Sequence, residues 1–362
     1  MHLGNVFCAL LSWLSAKSKG GEWVLRIEDL DPQRSREEYA LQLMDDLQWL
    51  GLPWDGEPVW QSQRGHIYEE YLLRLTEMGL TYPCHCTRAD IMATQAPHET
   101  DGRVVYKGTC RPRAIDAINS IDSIGSIDAI DAIDAIGSID STIRTVPATT
   151  RLIVPDRTIP FTDGHYGRHD INLAEHCGDY IVRRKDGAWA YQLAVVVDDA
   201  LMGITEIVRG RDLLLSSPQQ IHLRELLFGE RKTENGTDAG SENRSKIYFD
   251  YAEQQGGKDH EAGLKRKNNS LTAHHSPLTV NFFHHPLLCN AEGQRLCKRD
   301  KSMDLGYLRN KGTTSQEIIG LLAHLAGLTN TPAPITPTEL LPLFSWDKVP
   351  TEDIMLDKQI ML

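Results

Sequence analysis

The chain has 362 residues, a formal net charge of −12 at pH 7, 41% apolar residues and 24% charged residues. These values are typical of a globular protein with roughly two or three domains, and no stretch approaches the roughly 20 consecutive apolar residues of a membrane span. The seven cysteines are too few and too scattered for a disulfide scaffold, so we expect a cytoplasmic protein.

The N-terminal run NVFCALLSWLSA predicts an amphipathic helix. It lacks the basic flank and the cleavage site of a signal peptide. The preceding residues include His2, Gly4 and Asn5. Backbone N–H groups at a helix N-terminus suit phosphate, glycine lets a ligand approach, and His2 can donate to a phosphate oxygen. Taken alone this short pattern is weak, because chance matches are common.

Three ordinary elements follow. EWVLRIEDLD (Glu22–Asp31) predicts a buried strand that ends in acidic residues. SREEYALQLMDDLQWLGL predicts an amphipathic helix that is capped by Ser35 and ends at Gly51. QRGHIYEEYLLRLTEMGL predicts another helix, which ends at Gly79.

Three cysteines come next: Cys84 and Cys86 in CHC, and Cys110 in YKGTC. Three thiolates suit zinc, and a fourth nitrogen or oxygen ligand would complete a tetrahedron. His85 and His98 are able to fill that place on chemical grounds. The alternative is three buried thiols without a metal.

The tract Ala114–Ile143 contains six aspartates and no other charged residue, so it carries −6 of the −12 and leaves −6 for the remainder. A basic groove elsewhere therefore stays possible. Isoleucine recurs at every third position from Ile115 to Ile139. Neither a strand nor an α-helix places that period on one face, so we expect a low-complexity loop. The alternative is an interaction helix.

An apolar stretch follows, YQLAVVVDDALMGITEIVRG, for which we predict a strand, an acidic turn and a second strand. We interpret Asp198 and Asp199 of that turn as structural residues, with metal binding as the alternative. A polar linker follows from Gly229 to Lys246 and continues to about residue 275. LTVNFFHHPLL then predicts an apolar strand, and the alternation of strands and helices predicts an α/β sheet.

That strand leads into GQRLCKRDKS, which gathers basic residues in a glycine-led stretch. Two interpretations are open for this stretch: a solvated loop, or a mobile loop whose lysine meets a triphosphate. The basic residues are Arg295, Lys298, Arg299 and Lys301.

Four stretches, HLGN, RIEDLD, YQLAVVVDDALMGITEIVRGRDLL and RLCKRDKS, together resemble the glutamate-specific class I aminoacyl-tRNA synthetases. The first and last stand where that class has its HIGH and KMSKS signatures. FTDG (Phe161–Gly164) also resembles a family stretch, without a role that we can assign. About sixty residues follow the basic loop, too few for the anticodon-binding domain of glutamyl-tRNA synthetases. In having so short a region after the loop, the chain is similar to the glutamyl-Q tRNA(Asp) synthetases, which are stand-alone catalytic-domain paralogues.

The resemblance implies a Rossmann-type α/β catalytic domain with a zinc-bearing insertion and a short helical C-terminal tail. The family has a strand and a stretch like RFAPSPSG before its HIGH signature, whereas Met1 directly precedes His2 here. Either the start lies upstream, or a central strand and part of the glutamate pocket are missing. The expected divisions are 1–81 for the first catalytic half, 82–177 for the insertion, 178–310 for the second half with the linker at about 229–275 and the KMSKS-like loop at 295–299, and 311–362 for the tail.

For glutamate, the resemblance implies that Glu28 holds the ammonium while Tyr191 and Arg209 contact the substrate, Arg209 through a carboxylate. A guanidinium offers a planar fork to a carboxylate, which suits that role. The alternatives are a surface acid at the end of a strand for Glu28, and an ion pair with Glu206 or Asp212 for Arg209.

For ATP, the resemblance implies that Lys298 meets the phosphates while pyrophosphate leaves. Cys297 stands where the family usually has serine, a change that we expect to weaken the loop modestly. The other residues expected at the nucleotide are His2, Gly4 and Asn5.

The resemblance also makes Tyr106 the fourth ligand of one structural Zn²⁺. The implied reaction is activation of L-glutamate by ATP with Mg²⁺ to an adenylate, followed by transfer to queuosine at the wobble position of tRNA(Asp). We expect a monomer. The alternatives are an inactive, truncated synthetase-like protein that binds tRNA, and a tRNA-independent nucleotidyltransferase. The expected zinc ligands are Cys84, Cys86, Tyr106 and Cys110.

Overall fold

The computed structural model describes residues 1–31, 35–93, 105–112, 147–229, 280–296 and 304–356. The predicted isoleucine-rich loop at 114–143 and almost all of the polar linker at 229–275 lie outside these residues. The helices are α1 (Leu3–Lys17), α2 (Glu37–Trp49), α3 (Gly65–Glu77), α4 (Arg88–Ala93), α5 (Leu173–His176), α6 (Tyr191–Leu201), α7 (Ser217–Phe228), α8 (Leu305–Asn310), α9 (Ser315–Leu325) and α10 (Pro337–Leu340). The strands are β1 (Val24–Ile27), β2 (Asp55–Trp60), β3 (Thr81–Cys84), β4 (Thr149–Leu152), β5 (Thr158–Asp163), β6 (Gly167–Asn172), β7 (Tyr180–Arg183), β8 (Glu206–Gly210), β9 (Asn281–His285), β10 (Leu288–Cys289) and β11 (Ile354–Met355).

The strands form a mixed α/β fold with four small sheets. β1 and β2 are parallel and are joined through α2, which makes a βαβ unit. A four-stranded sheet has the order β6-β5-β9-β8, in which β5, β9 and β8 are parallel. Among the described residues, β1 pairs only with β2 and β8 only with β9, so each has one unpaired edge. The predicted α/β class is confirmed.

α1 is the predicted N-terminal helix, and it lies against the β1–β2 pair and the mixed four-stranded sheet. Its apolar side chains are buried at helical spacing, with Val6, Leu10 and Leu14 fully inaccessible. At its C-terminal end, Lys17 pairs with Asp55 at the start of β2 (2.5 Å). Ser15 donates to Glu206 at the start of β8 (2.5 Å). No helix in the described part of the chain is long and apolar enough to cross a membrane.

The predicted strand at the start of YQLAVVVDDAL is wrong, because this segment is helix α6. Every residue from Leu193 to Ala200 is buried. A helix that is enclosed on all sides has no polar face, so its sequence lacks the 3.6-residue period that would reveal it. The second predicted strand of this stretch is confirmed as β8, and LTVNFFHHPLL contains β9 as expected.

Two boundary predictions also differ from the structure. α2 begins after Arg36, which has no side-chain cap, so Ser35 is not the cap. Ser35 instead donates its backbone N–H to the carbonyl of Asp31 (2.8 Å). The strand predicted at Glu22–Asp31 shortens to β1 and is only partly buried, since Val24 is 37% exposed. The helix end at Gly51 is confirmed, with φ of 77° in the left-handed region that glycine tolerates.

Asp198, inside α6, joins three segments of the chain. Its fully buried carboxylate accepts hydrogen bonds from Gln61 Nε2 (2.8 Å), Arg64 Nε (2.6 Å) and the Tyr68 hydroxyl (2.8 Å). The neighbouring Asp199 accepts from Arg26 Nη1 of β1 (2.6 Å). These contacts fit the structural role predicted for the two aspartates. α6 is thereby fixed against α3 and β1.

We predict that Asp198→Ala destabilises the fold by about 3–5 kcal/mol, because it leaves a half-buried guanidinium, a buried amide and a buried phenol without their acceptor. Asp170→Ala is the matched control, since Asp170 is exposed and pairs only with Arg168 on the surface. Its free energy of unfolding should change little. Urea denaturation of the three proteins measures the difference, and equal stability of both variants would contradict the assignment.

Candidate functional site

The N-terminus of α1 carries the first predicted site residues. His2 is the N-cap, and its backbone N–H donates to Asn5 Oδ1 (3.3 Å). The His2 ring lies over Gly4, where an added Cβ would meet the ring atoms at 3.1 Å. Glycine at this position therefore lets the imidazole sit beside the helix start. The Leu296 Cβ lies 4.0 Å from the same point.

Lys298 lies outside the described residues, as do Cys297 and Arg299. The residues that flank this gap are both held at the start of α1. Leu296 packs in the same buried cluster as Leu3 of α1. On the far side, Asp304 forms an antiparallel bridge with His2. The two flanks of the basic loop and the HLGN segment therefore meet at one place.

Arg209 lies on β8 and is almost completely buried, with 6% of its surface exposed. Its Nε donates to His284 Nε2 (3.0 Å), and its terminal nitrogens donate to Gln220 Oε1 (2.7 Å) and to Ser217 Oγ (2.7 Å). The alternative of an ion pair with Glu206 or Asp212 is not observed: Glu206 accepts from Ser15, and Asp212 accepts from Arg295. Neutral groups hold the guanidinium, which leaves its charge for a ligand.

Tyr191 lies within electrostatic range of both Glu28 and Arg209. Burial raises the pKa of the Tyr191 phenol, the nearby carboxylate of Glu28 raises it further, and the guanidinium of Arg209 lowers it. The Glu28 side chain is 41% exposed and pairs with Arg26 Nη2 (3.2 Å). The structure therefore places Tyr191 near both of the other residues that the sequence predicted for glutamate, one a carboxylate and the other a cation.

A cleft of about 650 Å³ opens along the carboxyl end of β1. It is lined by both signs of charge, including Arg26, Glu28 and Glu37, and by the aromatic rings of Tyr39 and Trp60. Glu28 is thus accessible from this cleft. A ligand that carries both an ammonium and carboxylates would find opposite charges there.

The three cysteines of the predicted metal site converge. The Sγ atoms of Cys84, Cys86 and Cys110 all lie within 4.8 Å of one another, and Cys86 Sγ is 3.4 Å from Cys110 Sγ. A tetrahedral zinc site with Zn–S bonds of about 2.3 Å needs sulfurs about 3.8 Å apart, so this spacing fits. The Tyr106 hydroxyl lies 3.4 Å from Cys84 Sγ and 3.9 Å from Cys86 Sγ.

The Tyr106 hydroxyl therefore lies beside the sulfurs of the cluster. His85 is exposed and does not belong to the cluster, and His98 lies outside the described residues. Tyr106 forms a parallel bridge with Gly178, whose φ is 61°. Glycine is needed there because an added Cβ would lie 2.3 Å from the Tyr106 carbonyl oxygen. Burial raises the pKa of the Cys110 thiol, but the His85 backbone N–H and the Tyr106 hydroxyl outweigh it and lower that pKa to about 7.

The chain matches the family "tRNA synthetases class I (E and Q), catalytic domain" over residues 1–235. It belongs to this family. The family consists of ligases, so the chain is an enzyme of ligase type. A glutamyl-Q tRNA(Asp) synthetase from Symbiobacterium thermophilum is 35% identical over 98% of this chain and 92% of its own length. Another from Neisseria meningitidis serogroup C is 43% identical over 63% of this chain and 68% of its own length.

Solved structures of class I tRNA synthetases share the fold. A glutamate tRNA ligase from Elizabethkingia meningosepticum, crystallised with its amino acid, superposes with a TM-score of 0.65 over the whole of this chain, at 22% sequence identity. The chain spans 65% of the length of that ligase. The comparison supports a mixed α/β class I synthetase fold for the described elements.

Sequence reasoning missed the residues that surround Arg209. Ser217 and Gln220 come from α7, and His284 lies directly opposite Arg209 on β9. Asp163, which supports His284, belongs to the FTDG stretch that resembled the class I family without an assignable role. The only signals in the sequence were that stretch and the histidine pair in an apolar strand.

Proposed function

We propose that the chain activates L-glutamate with ATP and Mg²⁺ and transfers the glutamyl group to queuosine at the wobble position of tRNA(Asp), as a monomer in the cytoplasm. The observation that carries this proposal is the convergence of Glu28, Tyr191 and Arg209, together with the meeting of both flanks of the basic loop at the start of α1. The names of the relatives supply the acceptor.

In the proposed amino-acid pocket, the Glu28 carboxylate receives the ammonium of glutamate, and the Arg209 guanidinium receives a carboxylate. A guanidinium has five N–H groups, and the bonds to His284, Gln220 and Ser217 use three of them. Two are left for Tyr191 and for the substrate. Because those direct partners are neutral groups, a bound carboxylate would supply the charged hydrogen bond that none of them makes to the guanidinium.

In the proposed nucleotide site, the first N–H groups of α1 and the His2 ring receive phosphate oxygens, with Gly4 and Asn5 beside them. Lys298 is two residues from Leu296, and two residues span at most about 7 Å. We therefore propose that the lysine acts at the same helix start. Its charge would stabilise the pyrophosphate as the glutamate carboxylate attacks the α-phosphate.

We also propose that the catalytic part is Rossmann-type, with a zinc-bearing insertion at 82–177 between halves at 1–81 and 178–310, and a helical tail at 311–362. One structural Zn²⁺ would be held by the thiolates of Cys84, Cys86 and Cys110 and by the Tyr106 oxygen. The spacing of the sulfurs supports this ligand set. Bound zinc would cross-link β3 to the segment around residue 110 without taking part in the reaction.

We predict that Lys298→Ala lowers the rate of glutamate-dependent ATP–pyrophosphate exchange by about 100-fold or more, with little change in the KM for glutamate, because the lost charge acts on the leaving group. Lys301→Ala is the matched control, since it removes the same charge from the same basic loop. Equal losses in both variants would show a general electrostatic effect and refute the role of Lys298.

We predict about one zinc ion per chain in the purified protein. Cys110→Ser should abolish zinc binding and lower the melting temperature, because a serine hydroxyl is a poor zinc ligand. Cys177→Ser, which changes a half-buried cysteine outside the cluster, should keep the metal. Elemental analysis by mass spectrometry measures the zinc content of each protein. Zinc that persists after replacement of all three cluster cysteines would exclude this site.

For the acceptor, we predict that labelled glutamate is transferred to tRNA(Asp) that carries queuosine and not to tRNA(Asp) that lacks it. The label should survive periodate treatment, which destroys an unprotected 3′ terminus. Glutamate activation should proceed without tRNA, since the tRNA takes no part in adenylate formation. Charging of tRNA(Glu) at its 3′ end would instead indicate a glutamyl-tRNA synthetase activity.

A further inference from the structure

The buried side of Arg209 is the start of a hydrogen-bonded chain that reaches the FTDG stretch. Arg209 of β8 and His284 of β9 are paired residues on neighbouring parallel strands. His284 is fully buried, and its Nδ1 lies 2.6 Å from Asp163 Oδ2, at the end of β5. Three adjacent strands therefore contribute one residue each to a line of Asp163, His284 and Arg209.

The bond from Arg209 determines which nitrogen of His284 carries the proton. A guanidinium does not lose its protons in proteins, so Arg209 Nε is always a donor. His284 Nε2, 3.0 Å away, must therefore be the unprotonated acceptor. The imidazole proton lies on Nδ1, which donates to Asp163. Burial lowers the pKa of His284, in agreement with a neutral ring.

Asp163 is itself fixed by the backbone. Its Oδ1 accepts N–H groups from His165 (3.0 Å), Tyr166 (2.8 Å) and His284 (3.3 Å). Only Oδ2 is turned towards the imidazole. Gly164, the next residue, has no Cβ because the Phe283 ring lies 2.1 Å from where that atom would be. The turn after β5 thus holds one carboxylate oxygen against His284 in a single orientation.

We propose that Asp163 and His284 are positioning residues for Arg209: Asp163 sets the imidazole tautomer, and His284 then orients the guanidinium towards the substrate carboxylate. The proposal rests on the role given to Arg209 in the proposed function. It gives the FTDG stretch a purpose, since Asp163 acts on glutamate recognition through two other side chains without contacting the substrate. No proton is transferred in this arrangement.

Asp163→Asn tests the proposal with almost no change of shape. The three backbone N–H groups hold the amide oxygen at the Oδ1 position, so the amide NH₂ faces His284 Nδ1. That nitrogen must then accept, which moves the imidazole proton to Nε2, directly against the N–H of Arg209 Nε. We expect the KM for glutamate to rise about 10- to 100-fold in pyrophosphate exchange, while the KM for ATP stays unchanged.

Asp179→Asn is the matched control. Asp179 is also buried, and it accepts from the Tyr82 hydroxyl (2.7 Å) and from the Val154 N–H (2.7 Å), away from Arg209. Its KM for glutamate should equal that of the wild type. A similar rise of KM in both variants, or a rise that follows the melting temperature, would show general loss of structure and overturn the positioning role.

¹⁵N spectra of the histidine side chains supply a readout that does not need activity. The His284 signals are assigned by their absence from His284→Gln. The wild type should show protonated Nδ1 and unprotonated Nε2, and Asp163→Asn should show the reverse. A wild-type ring protonated on Nε2 overturns the proposal even if the variant does not fold, and so does an exchanged tautomer with an unchanged KM for glutamate.

The same measurements separate this proposal from the proposed function. If the wild type shows the expected tautomer but no glutamate-dependent exchange, glutamate activation is refuted. The positioning role of Asp163 and His284 in glutamate recognition is then refuted as well. If exchange is normal but Asp163→Asn leaves the tautomer and the KM unchanged, only the positioning role is refuted.

Discussion

The carboxylate of Asp198 determines where the two sides of the candidate pocket lie. It takes three hydrogen bonds from the segment Gln61–Tyr68, and its neighbour Asp199 takes one from Arg26 of β1. α6, which starts at Tyr191, is therefore locked to the strand that leads to Glu28. A buried carboxylate is tolerated only when its partners offset the loss of water, and here they also set the geometry of the site.

A second buried polar group, the guanidinium of Arg209, obeys the same rule with the opposite sign. Its neighbours are an imidazole, an amide and a hydroxyl, all of them neutral acceptors. They satisfy its geometry without cancelling its charge. In the Asp198 network, the carboxylate is paired with a guanidinium of the protein. In the Arg209 network, the guanidinium has neutral partners, so it is able to pair with a bound anion. This difference distinguishes a structural ion cluster from a pocket prepared for an anion.

Local patterns predicted the amphipathic elements well, since α2 and α3 each bury one face and expose the other, and α1 buries the apolar positions of its run. α6 was predicted as a strand because burial on all sides removed its period. The cysteine spacing indicated the metal cluster, although Tyr106 could be named only from family resemblance. The partners of Arg209 could not be predicted, because they come from α7 and β9, and the sequence does not state which strands are neighbours.

The position of α1 between the β1–β2 pair and the four-stranded sheet has a consequence for unfolding. Lys17 and Ser15, two residues apart, bind the first residues of β2 and of β8. Because β1 and β8 each have an unpaired edge, no ladder of backbone hydrogen bonds joins β1–β2 to the larger sheet among the described strands. Side chains provide the linkage instead, and those of α1 bind both sheets directly. The cooperativity of the domain, its ability to melt as one unit, therefore depends on α1, whose first turn is also the candidate nucleotide site.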